Sequence, residues 1–147
     1  MPPLQQPLDG VRILEIGTHL AAPLVGQHLL NLGGTVTVIE VASLVAGNAD
    51  YLPLAVRAAL CEGKTTLALD LESADGRARL GDEIRTSDVL VTNVPSSLAT
   101  RLGFSAEQCR SIDERIVHCD LPGFASSESD PDVFEHEAIV LAEAGVF

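Results

Sequence analysis

An acid and a loop in the first forty residues stand at the spacing that nucleotide-binding folds use. The stretch LEIGTHLAAPLVGQHLLNLGGTVTVIE is typical of a strand, a loop, a helix and a second strand that closes on Glu40. A dinucleotide fold places an acid about 20 residues after its glycine loop, where the carboxylate bonds a ribose hydroxyl. The loop after Gly17 has no G-x-G-x-x-G pattern, so a pyrophosphate cannot approach the helix N-terminus closely. Of three possible functions, a dinucleotide-binding oxidoreductase is therefore a distant third. Glu40 is better explained as a solvated acid at a strand end.

The metal-binding residue types do not stand at metal-ligand spacing. The chain has four histidines and three cysteines: His19, His28, His118, His136, Cys61, Cys109 and Cys119. They form neither an H-x-x-x-H nor a C-x-x-C pattern, and an odd number of cysteines suggests no disulfide framework. We therefore expect no metal, and a reducing, cytoplasmic location.

Apolar periodicity predicts the elements that would position a site. Five apolar runs predict strands over residues 11–16, 35–40, 65–71, 88–92 and 115–121. Helices are expected over 22–32, 54–60, 73–85 and 105–112, with a short one within 93–104 and another from about 135 to the end. Glycines at 33–34, Ser73 and a capping box at Ser105–Gln108 mark helix ends. Strands that alternate with helices predict an α/β fold, a doubly wound parallel sheet with helices on both faces.

Composition limits the partners of the chain. Its 147 residues suit one domain, and 46% hydrophobic residues without tryptophan predict an aliphatic core. A net charge of −12 argues against nucleic acid and against an anionic membrane surface. No segment reaches the ~20 apolar residues of a membrane span. The apolar end, EAIVLAEAGVF, leads us to expect that residues 1–147 are the N-terminal α/β domain of a longer chain.

Six segments in this order resemble the family III CoA-transferases, which include formyl-CoA transferase, carnitine CoA-transferase and α-methylacyl-CoA racemase. The segments are PLDGVRILEIGTHLAAPLVGQHLLNLGGTVTVIEV, GKTTLALDLESADGRARL, SDVLVTN, RLGF, DERIVHCDLPGF and HEAIVLAEAGVF. The resemblance implies a Rossmann-like N-terminal domain and an interlocked homodimer. It also implies chemistry on acyl-CoA and small carboxylic acids, either CoA transfer or the related racemisation.

The resemblance assigns coenzyme A, as substrate, to the first loop. Thr18, His19, Leu20 and Ala21 would line its pocket, with the following helix pointing its N-terminal amides at the site. Lys64 stands where the family has a basic residue before the third strand, which implies a phosphate contact. Asn93 keeps the first position of the family's Asn-Phe-Arg-Pro-Gly segment.

Several departures from the family weaken the predicted grip on a polyanionic nucleotide. Asn93 is followed by Val-Pro-Ser-Ser, so the aromatic ring and the guanidinium of the family segment are missing. A bidentate arginine contact is not replaced by serine. A lysine common near the end of the second strand is here Val38, and the glycine-rich turn after the second GF is here ASSE, residues 125–128.

The family nucleophile is an aspartate eight residues before the glycine of a Q-A-x-x-G segment. Counting back from Gly145 reaches Glu137, preceded by His136, while Leu141 replaces the glutamine. The pair resembles the His-Asp of the racemases, and a glutamate can also attack a thioester carbonyl. Its extra methylene displaces the attacking oxygen by about 1 Å, which can cost about 10²-fold in rate. Glu137 is equally explained as a first-turn helix acid. The alternative function is therefore a degenerate, non-catalytic domain used for packing or assembly.

Overall fold

The structure, a computed structural model, describes residues 6–18, 20–45, 54–122, 141–142 and 144–146. Within them it has five strands and six helices. In chain order these are β1 (Arg12–Ile16), α1 (Ala21–Asn31), β2 (Thr35–Val41), α2 (Ala42–Val45), α3 (Leu54–Cys61), β3 (Thr65–Leu69), α4 (Ala74–Arg85), β4 (Val89–Thr92), α5 (Ser96–Leu102), α6 (Ala106–Ile112) and β5 (Val117–Asp120).

The five strands form one parallel sheet in the order β3-β2-β1-β4-β5. Strand β1 lies at its centre, and Leu14 stands opposite Thr37 of β2 and Leu90 of β4. The order reverses at β1, because the chain first builds outward to β3 and then returns to add β4 and β5 on the other side. The predicted doubly wound parallel sheet is confirmed.

Successive side chains of the strands point to opposite faces of the sheet and form an apolar layer on each face. Leu14 and Ile16 of β1 point into the larger layer, which α4, α5 and α6 cover with Leu80, Ile84, Leu102 and Cys109 among others. Ile13 points the other way, into a smaller layer with Val36, Val91 and Ala22 of α1. The period-two alternation of a strand thus places helices on both faces.

The predicted helix caps are confirmed. The Ser73 hydroxyl accepts from Gly76 N at 3.0 Å, and Ser105 and Gln108 form the reciprocal capping box. Gly33, with φ +100, follows the end of α1 in a conformation that favours glycine.

The largest differences from the prediction are one additional helix and two strand ends. Helix α2 lies in a stretch predicted to be irregular. Strand β3 ends before Asp70, because the Asp70 side chain accepts from Glu72 N and its carbonyl accepts from Ser73, which turns the chain into α4. Strand β5 begins only at Val117, because Asp113 binds Arg115 in the preceding turn.

Of the C-terminal helix predicted from about residue 135 to the end, residues 135–140, 143 and 147 lie outside the described residues, and Leu141 and Ala142 are helical. Among the residues described, no helix combines the length and the hydropathy that crossing a membrane requires.

Candidate functional site

The point where the strand order reverses lies between the carboxyl ends of β1 and β4. After β1 the chain crosses to α1, which packs on β1, β2 and β4 from the smaller apolar layer. After β4 it crosses to α5, whose Ala99 and Leu102 belong to the larger layer on the opposite face. The two connections therefore run to opposite faces of the sheet, and open α/β sheets bind ligands in the crevice that forms at such a point.

Thr18 and Asn93 join the two sides of this crevice. The Thr18 amide donates to Asn93 Oδ1 at 2.9 Å, and Asn93 Nδ2 donates to the Thr18 carbonyl at 2.8 Å. One side-chain amide therefore pairs with both backbone groups of a residue 75 positions away. The joint is tight, since a Cβ on Gly17 would stand 2.6 Å from Asn93 Oδ1 and 2.4 Å from Ala22 Cβ.

The N-terminus of α1 lies beside the contact between Thr18 and Asn93. Leu20 precedes the helix without a side-chain cap, and its first turn contains no acidic residue. Ala21 is exposed and Ala22 is buried, while Leu20 is half-buried. The first turn offers the amides of Ala21 and Ala22, because Pro23 has no N–H, and these amides and the positive end of the helix dipole favour an anionic group.

Lys64 lies on the α1 side of the sheet, but its ammonium is turned inward. Its Nζ is 2.6 Å from Glu15 Oε2 and donates to the Pro23 carbonyl at 2.8 Å. The side chains of Lys64 and Glu15 are 0% and 3% exposed. Burial raises the pKa of the Glu15 carboxyl, and the hydrogen bond and charge of Lys64 oppose that rise.

Gly26 of α1 makes room for the ion pair. A Cβ at Gly26 would lie 2.0 Å from Glu15 Oε2 and 3.0 Å from Lys64 Nζ. The helix can therefore lie directly over the pair only because this position has no side chain.

The predicted site residues divide into three groups. The structure brings Thr18 and Asn93 into direct contact and places Leu20 and Ala21 at the start of α1 beside them. It places Lys64 under α1, bound to Glu15. Three others lie outside the described residues, so their roles stay predictions: His19, His136 and Glu137.

Two residues of this region were missed by reasoning from the sequence. Glu15 is an acid inside the apolar run R-I-L-E-I, and Gly26 interrupts an apolar helix. A charged residue at an inward strand position signals a buried partner, because an unpaired charge there is costly. The sequence does not say which of the nine lysine and arginine residues is that partner.

Other candidate chemistry near the sheet is limited. Glu40, near the end of β2, is exposed, as expected of a solvated acid. Across the described part of the chain, no three His, Cys, Asp or Glu side chains cluster as a metal site would need. Burial raises the pKa of the Cys109 thiol to about 11, so this thiol is a poor nucleophile.

The fold is that of a doubly wound α/β domain with a Rossmann-like parallel sheet. Comparison with known proteins narrows the class, since residues 8–147 match the model of CoA-transferase family III. The chain belongs to CoA-transferase family III.

Two curated relatives and one solved structure illustrate the match. The succinate–glutarate CoA-transferase of Agrobacterium fabrum is 26% identical over 157 residues, which cover 99% of this chain and 39% of the relative. The CoA-transferase/lyase DddD of a Marinomonas species is 31% identical over 144 residues, covering 97% of this chain and 17% of DddD. The crystal structure of Rv3272 from Mycobacterium tuberculosis superimposes with a TM-score of 0.83 at 26% identity, covering 96% of this chain and 40% of that one. The chain thus spans well under half the length of these relatives.

Proposed function

We propose that this chain supplies the CoA-binding crevice of an enzyme that transfers CoA between carboxylic acids through an enzyme-bound acyl intermediate, or that racemises an acyl-CoA. Its substrates would be an acyl-CoA and a small carboxylic acid. Family membership supports acyl-CoA chemistry in general, and the choice between these two reactions is part of the proposal.

The joint between Thr18 and Asn93 is the observation that carries this proposal. It fixes the loop after β1 against the end of β4, so the uncapped start of α1 is held at the crevice. Coenzyme A is polyanionic, and amides fixed in advance bind an anion without first losing conformational freedom. Thr18, His19, Leu20, Ala21 and Asn93 are the residues proposed to form the pocket.

Glu137, with His136 beside it, is proposed to supply the covalent chemistry. Its carboxylate attacks the thioester carbonyl, and the C–S bond breaks to leave a mixed anhydride and the CoA thiolate. The thiolate then attacks the glutamyl carbonyl of the anhydride, forming an enzyme thioester and releasing the first carboxylate. An acceptor carboxylate reverses the two steps, which regenerates Glu137.

The assembly proposed for the active protein is larger than this domain. We propose a longer chain that forms an interlocked homodimer in the cytoplasm and contacts neither nucleic acid nor membrane. The net charge of −12 supports the last point, because both surfaces repel an acidic protein.

A degenerate, non-catalytic domain is the second candidate, and two observations favour it. Val94 stands where the family carries its aromatic residue, and it is buried in the core with 2% exposure. The single lysine, Lys64, forms an ion pair with Glu15. The crevice therefore has fewer cationic and stacking contacts for CoA than the family pattern provides.

Two measurements on the full-length protein test the proposal. Calorimetric titration with CoA is expected to give saturable binding. Incubation with a panel of acyl-CoA thioesters, followed by hydroxylamine or borohydride, is expected to label residue 137, which mass spectrometry of the digested protein would identify. CoA binding without labelling would support the degenerate domain, and the absence of both would reject a CoA site.

A further inference from the structure

The buried ion pair under α1 has no place in the proposed covalent chemistry. Glu15 and Lys64 sit between the sheet and the helix in the smaller apolar layer, where isolated charges are costly. A lysine at the surface would keep its charge in water without a loss of folding free energy. The contacts that Lys64 makes should therefore explain why it is buried.

Lys64 contacts the helix as well as the sheet. Besides Glu15 of β1, its ammonium binds the carbonyl of Pro23, which lies in the first turn of α1. The short turn before β3 aims the side chain, since Gly63 takes φ +78 and Lys64 N donates to the Cys61 carbonyl at 3.1 Å. The first turn of α1 is thus tied to β1 through two charged side chains.

The segment from Thr18 to Pro23 is therefore anchored at both ends. Asn93 holds Thr18 from the β4 side, and Lys64 holds Pro23 from the β3 side. Between these anchors lie Leu20 and Ala21 at the start of α1, which the proposed function assigns to coenzyme A.

We infer that Lys64 is a positioning residue, which with Glu15 holds the first turn of α1 in the geometry that receives coenzyme A. It acts through the Pro23 carbonyl and does not itself contact a phosphate. This inference deepens the proposed function and rests on it for the identity of the ligand.

Two single substitutions in the full-length protein separate positioning from direct contact. Lys64→Met removes the anchor, and it weakens CoA binding under either role. Glu15→Gln distinguishes the two roles by its sign. If Lys64 binds a phosphate of CoA directly, the loss of the competing Glu15 carboxylate should make CoA bind more tightly. If Lys64 positions the turn, the loss of its counter-ion should hold the turn less well and make CoA bind more weakly. We expect each variant to weaken CoA binding about tenfold in calorimetric titration, a change of about 1.4 kcal/mol.

Hydrogen exchange gives a second readout that does not depend on the ligand. In both variants we expect faster amide exchange over residues 18–24, while the strands β1 and β4 keep their protection. A general loss of stability would instead accelerate exchange throughout the sheet. If an unpaired buried charge prevents folding, the double variant Glu15→Gln/Lys64→Met removes both charges and is expected to show the same local exchange and the same loss of affinity.

A matched control is available in the exposed ion pair of α4. Arg85 binds Asp82 at 2.7 Å, with side chains 59% and 77% exposed, and Arg85→Met is expected to change neither readout. Unchanged or tighter CoA binding by Glu15→Gln, or unchanged exchange over residues 18–24, would overturn the inference. Failure of the wild type to bind CoA would instead reject the proposed function, and the exchange data would still decide whether the pair positions the turn.

Discussion

Asn93 reaches from the end of β4 to pair with both backbone groups of Thr18, at 2.9 Å and 2.8 Å. The pairing resembles one rung of a parallel sheet, continued by a side chain after the strands have ended. It fixes the separation of the two loops that border the crevice. Asn93 is in this way a structural element of the candidate site, whether or not it also touches a ligand.

Replacing Asn93 should reveal this role. Asn93→Ala removes the two hydrogen bonds to the Thr18 amide and carbonyl, and we expect a loss of about 1–3 kcal/mol in the free energy of unfolding, measured by urea denaturation. CoA affinity should fall with it. Asn31, exposed at the end of α1, provides the control, since Asn31→Ala should stay within about 0.5 kcal/mol of the wild type. Equal stabilities for the two variants would contradict the proposed role of the joint.

Two helical glycines make a matched pair that tests the space around the buried charges. Alanine is favoured over glycine within a helix by about 0.8–1.0 kcal/mol. At Gly81 of α4 a new Cβ would have neighbours no closer than 3.9 Å, so Gly81→Ala should be stabilising. At Gly26 the Cβ would strike Glu15, so Gly26→Ala should destabilise by about 1–3 kcal/mol. Thermal or urea denaturation of both variants measures the difference, and the same sign for both would refute the crowding at Gly26.

The three cysteines should differ in reactivity. The Cys109 thiol is buried and donates to the Phe104 carbonyl at 3.3 Å, and burial raises its pKa to about 11. Cys61 is exposed and Cys119 is half-buried. With iodoacetamide near pH 8, we expect Cys61 to be alkylated first and Cys109 only after unfolding, as peptide mass spectrometry would show. Early alkylation of Cys109 in the folded protein would disprove its burial.

Asp113 should titrate below its ordinary range. Hydrogen bonds from the Arg115 side chain and backbone lower the pKa of this carboxyl from 3.8 to about 2. Because the folded pKa is depressed, the stability that Asp113 contributes is complete above pH 3.8 and is lost as the pH falls toward 2. Arg115→Gln should raise the pKa in an NMR titration of the carboxyl carbon, and Arg101→Gln should not. A pKa that both variants leave unchanged would exclude Arg115 as the cause.

Glu137 offers the test of the proposed chemistry. In the full-length enzyme, Glu137→Gln should abolish turnover and leave CoA affinity nearly unchanged, because the amide keeps the shape but is not a nucleophile. Glu137→Asp should retain or improve activity, since it restores the shorter side chain of the family. Steady-state rates measure the turnover of the two variants, and calorimetric titration measures their CoA affinity. Full activity in Glu137→Gln would remove this residue from the mechanism.

The fold was predictable because its signals are local. Apolar runs, Ser73, and the Ser105–Gln108 box each act within a few residues, and the structure confirms the sheet and these caps. Element ends were less predictable. Strand β3 stops before Asp70 because that residue's own side chain and carbonyl turn the chain, a competition that an apolar pattern does not record.

The candidate site was only partly predictable. The resemblance selected the loop at Thr18 and the position of Asn93, but their pairing joins residues 75 positions apart. The resemblance implies a phosphate contact for Lys64, and the structure shows its ammonium bound to Glu15, a residue 49 positions away inside an apolar strand. The pairing of Glu15 with Lys64 depends on the strand order and on the open space at Gly26. Both exist only once the chain has folded.

The sequence by itself thus determined the α/β alternation, the parallel sheet and the family, since these follow from periodicity and from the order of short motifs. Tertiary structure alone decided the inward turn of Lys64 and the two anchors of the segment from Thr18 to Pro23. The physical reason is that the burial and pairing of a charge depend on neighbours brought from distant parts of the chain.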